Sequence, residues 1–213
     1  MDILAFFGFI IVISLSGVLM PGPMTAATIA RSYSDKWAGA KVAIGHAFVE
    51  FPLLALIAIL ISLGWNSLGT GDRTFIYVIG VIGGAYLIFF GMTMLRDESF
   101  ISEKPDKSKL TRSAFVLGIT TTLFNPGFLL WWLIAGTLVV AIALEFGIIV
   151  LIIVAILHWS LDLAWGIILS FGIQKAKEIY ASKIKNIIRY GCVALILFFG
   201  AYFAVSSVYD LLT

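Results

Sequence analysis

Six long apolar stretches make up most of the sequence and restrict the chain to a membrane fold. Each is long enough for the roughly 20 residues that a helix needs to cross a bilayer. They lie at 3–29, 38–63, 74–95, 113–140, 146–171 and 189–208. Only 12% of the residues are charged, against about 25% in soluble domains. The sequence therefore predicts an all-α polytopic membrane protein with six transmembrane helices.

Proline and glycine interrupt the first and fourth stretches. The interruptions are Pro21-Gly22-Pro23 and Asn125-Pro126-Gly127. Proline removes a backbone donor and disfavours helix in the residue before it. We therefore expect helices 1 and 4 to be broken, so that half-helix ends point N–H groups at a small anion such as a carboxylate. Hydroxyl donors accompany the breaks at Thr25, Thr28, Thr120, Thr121 and Thr122.

The polar segment 96–112 divides the chain into two halves, which we predict to be three-helix repeats. The first repeat is 1–95, the segment 96–112 is a linker, and the second repeat is 113–213. In each half the first helix carries a Pro-Gly break, and the second carries a histidine followed four residues later by an acid. Because three is odd, the second half must enter the membrane inverted. Inverted repeats are typical of secondary transporters, whose sites lie near the midplane.

The distribution of basic residues predicts the orientation. All of the 14 Lys and Arg residues except Arg73 fall in the loops after helices 1, 3 and 5. The positive-inside rule places those loops in the cytoplasm, so that both termini lie outside. The net charge of +2 is too small to indicate nucleic acid as a partner.

Two histidine–carboxylate pairs lie inside apolar stretches, where charge is costly and usually functional. They are His46 with Glu50 and His158 with Asp162. A spacing of four puts both members of a pair on one helical face. At 1.5 Å per residue, Glu50 and His158 lie about 18 and 17 Å into their helices, near the middle of the bilayer. Such groups can exchange a proton or hold an ammonium, although a pair can also serve as a structural hydrogen bond.

These residues resemble the lysine-exporter (LysE/RhtB) family along essentially the whole chain. The resemblance rests on Pro21-Gly22-Pro23, the glycine before His46, the acid at Glu50, and Asn125-Pro126. The Gly-His-x-x-x-Glu form is similar to a subgroup found largely in archaea and anaerobic bacteria. Many members have Asn-Pro-Lys where this chain has Asn125-Pro126-Gly127. The resemblance implies a prokaryotic inner-membrane exporter of amino acids or their derivatives, a proton antiporter, with homodimerisation as one possible arrangement.

Three hypotheses follow. In the favoured hypothesis, the two half-helix ends bind the carboxylate of an amino acid. The residues at those ends are Pro21, Gly22, Pro23, Thr25, Asn125, Pro126 and Gly127. Glu50 and Asp162 bind its amine or the proton, and His46 and His158 tune or relay that proton. The second is a divalent-cation exporter using His46, Glu50, His158 and Asp162 as ligands. The third hypothesis is a membrane metalloenzyme, and the predicted inverted repeat argues against it. No phosphate-binding loop or hydrolase motif is present, so we expect an ion gradient as the energy source and no cofactor.

Overall fold

The computed structural model describes residues 2–63, 74–96 and 113–212. Within those ranges the chain is helical apart from short connections and contains no strand, which confirms the all-α prediction. In chain order the helices are α1 Ile3–Val18, α2 Pro23–Ser32, α3 Ala38–Ser62, α4 Thr74–Arg96, α5 Ala114–Leu123, α6 Pro126–Trp131, a π-helical turn Trp132–Gly136, α7 Thr137–Glu145 and α8 Ile148–Leu212.

The expected break in the first stretch is present between α1 and α2. The two helices meet at an angle of 72°. The Asp2 side chain caps α1 by accepting a hydrogen bond from the Ala5 N–H, and α2 begins at Pro23. Proline suits the first position of a helix because its missing N–H would have no intrahelical partner there. The break therefore follows from the residues on both sides of it.

The fourth stretch is broken where the sequence predicts, and it is also distorted further along. Helix α5 ends at Leu123 and α6 begins at Pro126. After six residues the helix widens into the π-helical turn Trp132–Gly136 and then continues as α7. Turns of this kind insert an extra residue and occur often at functional sites. Pro52, in contrast, lies inside α3 and does not interrupt that helix.

The prediction of a loop between the fifth and sixth stretches is wrong. The backbone is helical from Ile148 to Leu212, because the intervening residues are mostly helix formers and include no proline. The helix nevertheless folds back. Gln174 contacts the Ser32 carbonyl and Cys192 contacts the Ala30 backbone, whereas a straight helix would separate Gln174 and Cys192 by about 27 Å.

Four helical segments are long and apolar enough to cross a membrane, and the bent α1–α2 pair makes a fifth. The four are Ala38–Ser62, Pro126–Glu145, Ile148–Ile179 and Tyr190–Tyr209. This count covers the described ranges only. The six-span inverted repeat therefore stays a prediction. Residues 97–112 of the expected linker and Arg73 in the second loop lie outside the described residues.

Small residues bring the site-bearing helices close together. A Cβ atom on Gly118 of α5 would overlap the Val42 carbonyl of α3, and one on Gly39 of α3 would overlap the Gly166 carbonyl of α8. Trp159 of α8 also donates a hydrogen bond of 2.8 Å to the Ala43 carbonyl. Helix α3 is thus packed between α5 and α8 at backbone contact distance.

Candidate functional site

Four ionisable side chains from α3 and α8 meet in the interior of the helical bundle. Their residues are almost completely buried, with exposed fractions of 3% for His46, 1% for Glu50, and 7% each for His158 and Asp162. Burial of that extent is rare for acidic residues unless they are paired or bind a ligand. The structure therefore brings the two sequence-predicted pairs into one cluster, which we call the acid–imidazole cage: His46, Glu50, His158 and Asp162.

Each carboxylate of the cage is shared between both imidazole rings. Glu50 Oε1 lies 3.2 Å from His46 Nε2 and 3.1 Å from His158 Nε2. Asp162 Oδ2 lies 3.8 Å from His46 Nε2 and 3.7 Å from His158 Nε2. The two rings are therefore related almost symmetrically to both acids. The pairing within each helix predicted from the spacing of four is only half of the contact pattern, since each acid also reaches the histidine of the other helix.

Hydroxyl groups hold the outer nitrogen of each ring. His46 Nδ1 is 2.9 Å from Thr122 Oγ1 of α5, and His158 Nδ1 is 2.8 Å from Ser14 Oγ of α1. The sequence identified Thr122 as a donor beside the break, but it did not identify Ser14. The four-residue spacing that places Ser14 on the buried face of α1, with Phe6, Ile10 and Val18, is visible only in the structure.

The cage opens into a cavity of about 100 Å³, and residues at both helix breaks also line this cavity. Of the eleven residues that the amino-acid hypothesis assigns to the site, all but Pro126 line it: Pro21, Gly22, Pro23, Thr25, His46, Glu50, Asn125, Gly127, His158 and Asp162. Of the further hydroxyl residues near the breaks, Thr122 lines the cavity, whereas Thr28, Thr120 and Thr121 do not. Pro126 is buried, and its ring lies 3.1 Å from the position that a Cβ atom on Gly83 would occupy. The structure thus gathers residues from 21 to 162 around one space.

The two half-helix ends at the cavity differ in how their backbone groups are satisfied. Asn125 caps α6 by accepting a hydrogen bond of 3.1 Å from the Gly127 N–H. Gly22 gives α2 no side-chain cap. Thr25 Oγ1 crosses the first break to the Met20 carbonyl at 3.4 Å. The α2 end therefore retains more capacity to bind an anion than the α6 end.

Aromatic rings cover the cage on the side of the π-helical turn. Trp131 stacks on His158 with ring centroids 5.0 Å apart, and Trp132 meets the same ring edge-on at 5.3 Å. Phe128 meets His46 edge-on at 5.2 Å. The sequence left open whether the two tryptophans face a cavity or lipid. Both line the cavity, and both contact the His158 ring.

Three carboxylate oxygens of the cage have no well-aligned hydrogen-bond donor. Among the described residues, these buried atoms are Glu50 Oε1, Glu50 Oε2 and Asp162 Oδ2. The contacts from Glu50 to the two Nε2 atoms have suitable lengths but not the alignment of N–H···O hydrogen bonds. Buried oxygen atoms in this state are costly. A proton, an ammonium group or a metal ion placed among them would remove that cost.

Asp162 also borders a second, smaller cavity. This space of about 10 Å³ lies between α2, α3 and α8 and is lined by Thr28, Val42 and Trp165, among others. Trp165 Nε1 is buried and has no hydrogen-bond partner among the described residues. The Gly39–Gly166 backbone contact borders the same space. Asp162 thus stands between the main cavity and the closely packed ends of α2 and α3.

Broken apolar helices around a buried ionisable cluster define the class: a multi-pass membrane transport protein. A family model for the LysE type translocator matches residues 15–207. The chain therefore belongs to the LysE type translocator family, as its residues had suggested, and is a transporter of the exporter class. No match was found among curated proteins or among solved structures.

Proposed function

We propose that the protein is an inner-membrane secondary transporter that exports small amino acids or their derivatives in exchange for protons. The observation that carries this proposal is the convergence of four buried ionisable groups and an uncapped helix end on one cavity. An amino acid presents an ammonium and a carboxylate close together. The acid–imidazole cage offers acceptors to the ammonium, and the α2 end offers backbone N–H groups to the carboxylate.

The size of the cavity favours a small solute. About 100 Å³ is several times the roughly 10–15 Å³ that one water molecule requires by the same measure. A solute such as alanine, with six non-hydrogen atoms, is of that order. Larger amino acids would require the cavity to open further, which alternating access provides.

Proton coupling follows from competition for the same acceptors. Glu50 and Asp162 cannot hold a proton and an ammonium group at full strength together, because each added positive charge repels the other in a buried site. Binding of the solute from the cytoplasm would therefore displace a proton from the cage. The proton that re-enters from outside would displace the solute, which is antiport.

The symmetry of the cage supports the two-repeat architecture. Each histidine is held by a hydroxyl from the first helix of the opposite half, Thr122 for His46 and Ser14 for His158. We infer repeats 1–95 and 113–213 in opposite orientations, with the basic loops in the cytoplasm. Rocking one repeat against the other would expose the cage to each side in turn.

The proposal is tested by transport in proteoliposomes. The purified protein is reconstituted, a pH gradient is imposed, and the flux of labelled alanine and lysine is measured with and without a protonophore. We expect flux that depends on the gradient and ceases when the protonophore collapses it. Flux that persists unchanged without a gradient would exclude proton antiport, and the absence of flux for both alanine and lysine would contradict the assignment of amino acids as the solute.

A matched pair of variants locates the coupling. Glu50→Gln removes a buried charge from the cage, whereas Glu145→Gln makes the same change at an exposed position at the end of α7. We expect Glu50→Gln to abolish gradient-driven export and Glu145→Gln to leave it intact. Normal transport by Glu50→Gln would remove Glu50 from the mechanism.

A second candidate function is export of a divalent cation, favoured by the spacing of the cage atoms. A tetrahedral Zn²⁺ site with bonds of about 2.0–2.1 Å has ligand–ligand edges of about 3.3–3.4 Å. Four of the six edges, those between imidazole nitrogens and carboxylate oxygens, are 3.1, 3.2, 3.7 and 3.8 Å. Ligand atoms of His46, Glu50 and Asp162 lie within 4.8 Å of one another, a set that does not include His158. The hydroxyls on Nδ1 resemble the outer partners of metal-bound histidines.

Elemental analysis and thermal stability distinguish the two candidates. Protein purified without chelators is analysed for metals, and its unfolding is followed with Zn²⁺, Mn²⁺, Ni²⁺ or amino acids at two pH values. Stoichiometric metal or stabilisation by metal alone would favour cation export. Stabilisation by amino acids alone would favour the first candidate.

A further inference from the structure

The outer nitrogens of the two histidines are bound by hydroxyl groups that belong to other helices. Thr122 Oγ1 lies 2.9 Å from His46 Nδ1, and Ser14 Oγ lies 2.8 Å from His158 Nδ1. All four residues are buried. The proton on a neutral imidazole can occupy either nitrogen, and the partner of one nitrogen determines the state of the other. The hydroxyls therefore control what the inner Nε2 atoms present to the cage.

The direction of the Thr122 contact can be worked out from its other partners. Thr122 Oγ1 lies 2.6 Å from the Gly118 carbonyl, which can only accept a hydrogen bond. A hydroxyl has one proton, and the Met24 sulfur at 3.7 Å is a weaker acceptor than a carbonyl. The proton of Thr122 therefore points at Gly118. Its oxygen is left to accept a hydrogen bond from His46 Nδ1–H.

The carboxylate side is compatible with this direction. Glu50 Oε1 lies 3.2 Å from His46 Nε2 and 3.1 Å from His158 Nε2, but neither contact has the alignment of an N–H···O hydrogen bond. With its proton on Nδ1, the neutral His46 ring leaves Nε2 bare. The matching contact of Ser14 with His158 Nδ1 leads us to extend the same state to His158. The cage then presents only acceptors: two nitrogens and the carboxylate oxygens of Glu50 and Asp162.

We propose that Thr122 and Ser14 are positioning residues that hold His46 and His158 as Nδ1–H tautomers, so that both Nε2 lone pairs face one bound cation. The inference rests on the proposed function and identifies the chemical class that the cage accepts: a species that is positive or donates hydrogen bonds, and that needs no donor in return. An ammonium group meets this description, and so does a proton or a divalent metal. An anion or a neutral acceptor does not.

Each half of the protein thus supplies the hydroxyl group that positions the histidine of the other half. Thr122 lies on α5 and acts on His46 of α3, while Ser14 lies on α1 and acts on His158 of α8. Movement of the first helix of one repeat would release the tautomer of the opposite histidine and weaken the cage. The contacts therefore link cation affinity to the relative position of the two halves.

Nitrogen-15 NMR of histidine tests the inference directly, because the chain has only two histidines. The protein is labelled with ¹⁵N-histidine, reconstituted in lipid, and examined at a pH at which the rings are neutral. A His158→Gln variant leaves the His46 signals alone for assignment. We expect Nδ1 to carry the proton and Nε2 to be bare in both rings. Protonated Nε2 in the wild-type protein would overturn the proposal.

Three threonine variants separate positioning from packing. Thr122→Val removes the hydroxyl at nearly constant shape, Thr122→Ser keeps it, and Thr121→Val alters a buried neighbour whose hydroxyl bonds Leu117 instead. We expect Thr122→Val to lose the fixed Nδ1–H state of His46, with the state retained in the other two. An unchanged His46 tautomer in Thr122→Val would contradict the proposal. The measurement requires no transported solute, so its failure is distinct from a failure of the amino-acid assignment.

Discussion

Replacing the two histidines singly and together distinguishes a shared proton from a relay. In the shared case, one proton serves Glu50 from either ring, so the rings substitute for each other. In a relay, the proton must pass through both rings, and loss of either stops transport. The variants are His46→Gln, His158→Gln and the double replacement.

The distances set the expected magnitudes. A positive ring 3.1 or 3.2 Å from Glu50 Oε1 gains about 5 kcal/mol at an effective dielectric constant of about 20. The difference of 0.1 Å between the rings changes this by about 0.2 kcal/mol, less than the thermal energy of about 0.6 kcal/mol. The proton therefore divides almost equally between the rings. Loss of one ring removes one of two equivalent protonated states, which lowers the free energy of proton binding by about 0.4 kcal/mol and the proton affinity by about two-fold. Loss of both rings removes about 3–5 kcal/mol of that free energy, which lowers the affinity by more than about 100-fold.

The assay is the proton concentration that gives half-maximal gradient-driven flux in proteoliposomes. We expect each single variant to shift it by about two-fold, and the double variant to shift it by far more than the product of the two. Single variants that are each as defective as the double would refute the shared proton and establish a relay. Independent, multiplying effects would refute both.

Two further predictions concern the packing and the loop between α2 and α3. Gly118→Ala should lower the thermal stability and flux, because its Cβ would overlap the Val42 carbonyl and force α5 away from α3. Burial opposes ionisation of Asp35, but the hydrogen bonds from Lys41 and the Trp37 N–H outweigh it, so the pKa of Asp35 lies below its ordinary 3.8. Asp35→Asn should therefore cost about 0.2–1 kcal/mol at pH 7; this contribution is complete above pH 3.8 and is lost as the pH falls below it.

Matched comparisons test the packing prediction for Gly118 and the loop prediction for Asp35. Gly8→Ala adds a methyl group where no other atom lies within 4 Å, so equal behaviour of Gly118→Ala and Gly8→Ala would contradict the packing argument. For the loop, unfolding of the wild-type protein and Asp35→Asn is compared at pH 7 and pH 3. A stability difference that grows at low pH would contradict the assignment of the Asp35–Lys41 pair.

The sequence predicted the broken helices well, because the breaks depend on local chemistry. Proline and glycine act on their own backbone and immediate neighbours, so Pro21 and Pro126 were sufficient to predict both breaks. The gathering of His46, Glu50, His158 and Asp162 was predicted from spacing and the repeat. Those groups are too costly to leave in lipid, so burial together was the physical expectation.

Other features could not be read from the sequence, since they depend on how apolar helices rotate against one another. Helices with apolar residues on every face give no periodic signal for the inward side. The sharing of Glu50 between two rings, the contact of Ser14 with His158 and the π-helical turn at Trp132–Gly136 therefore emerge only in the folded chain. The continuous helix α8 was missed because charge clusters were interpreted as a loop, although lysine, alanine and glutamate favour helix.

Proton release on solute binding is the most direct test of the central claim that proton and cargo compete for one cage. The transported solute is added to detergent-solubilised protein in weakly buffered solution, and protons are counted with a pH indicator dye. We predict release by the wild-type protein and by Glu145→Gln, and none by Glu50→Gln combined with Asp162→Asn. Solute binding without proton release by the wild-type protein, or undiminished release by the doubly substituted cage, would contradict the account.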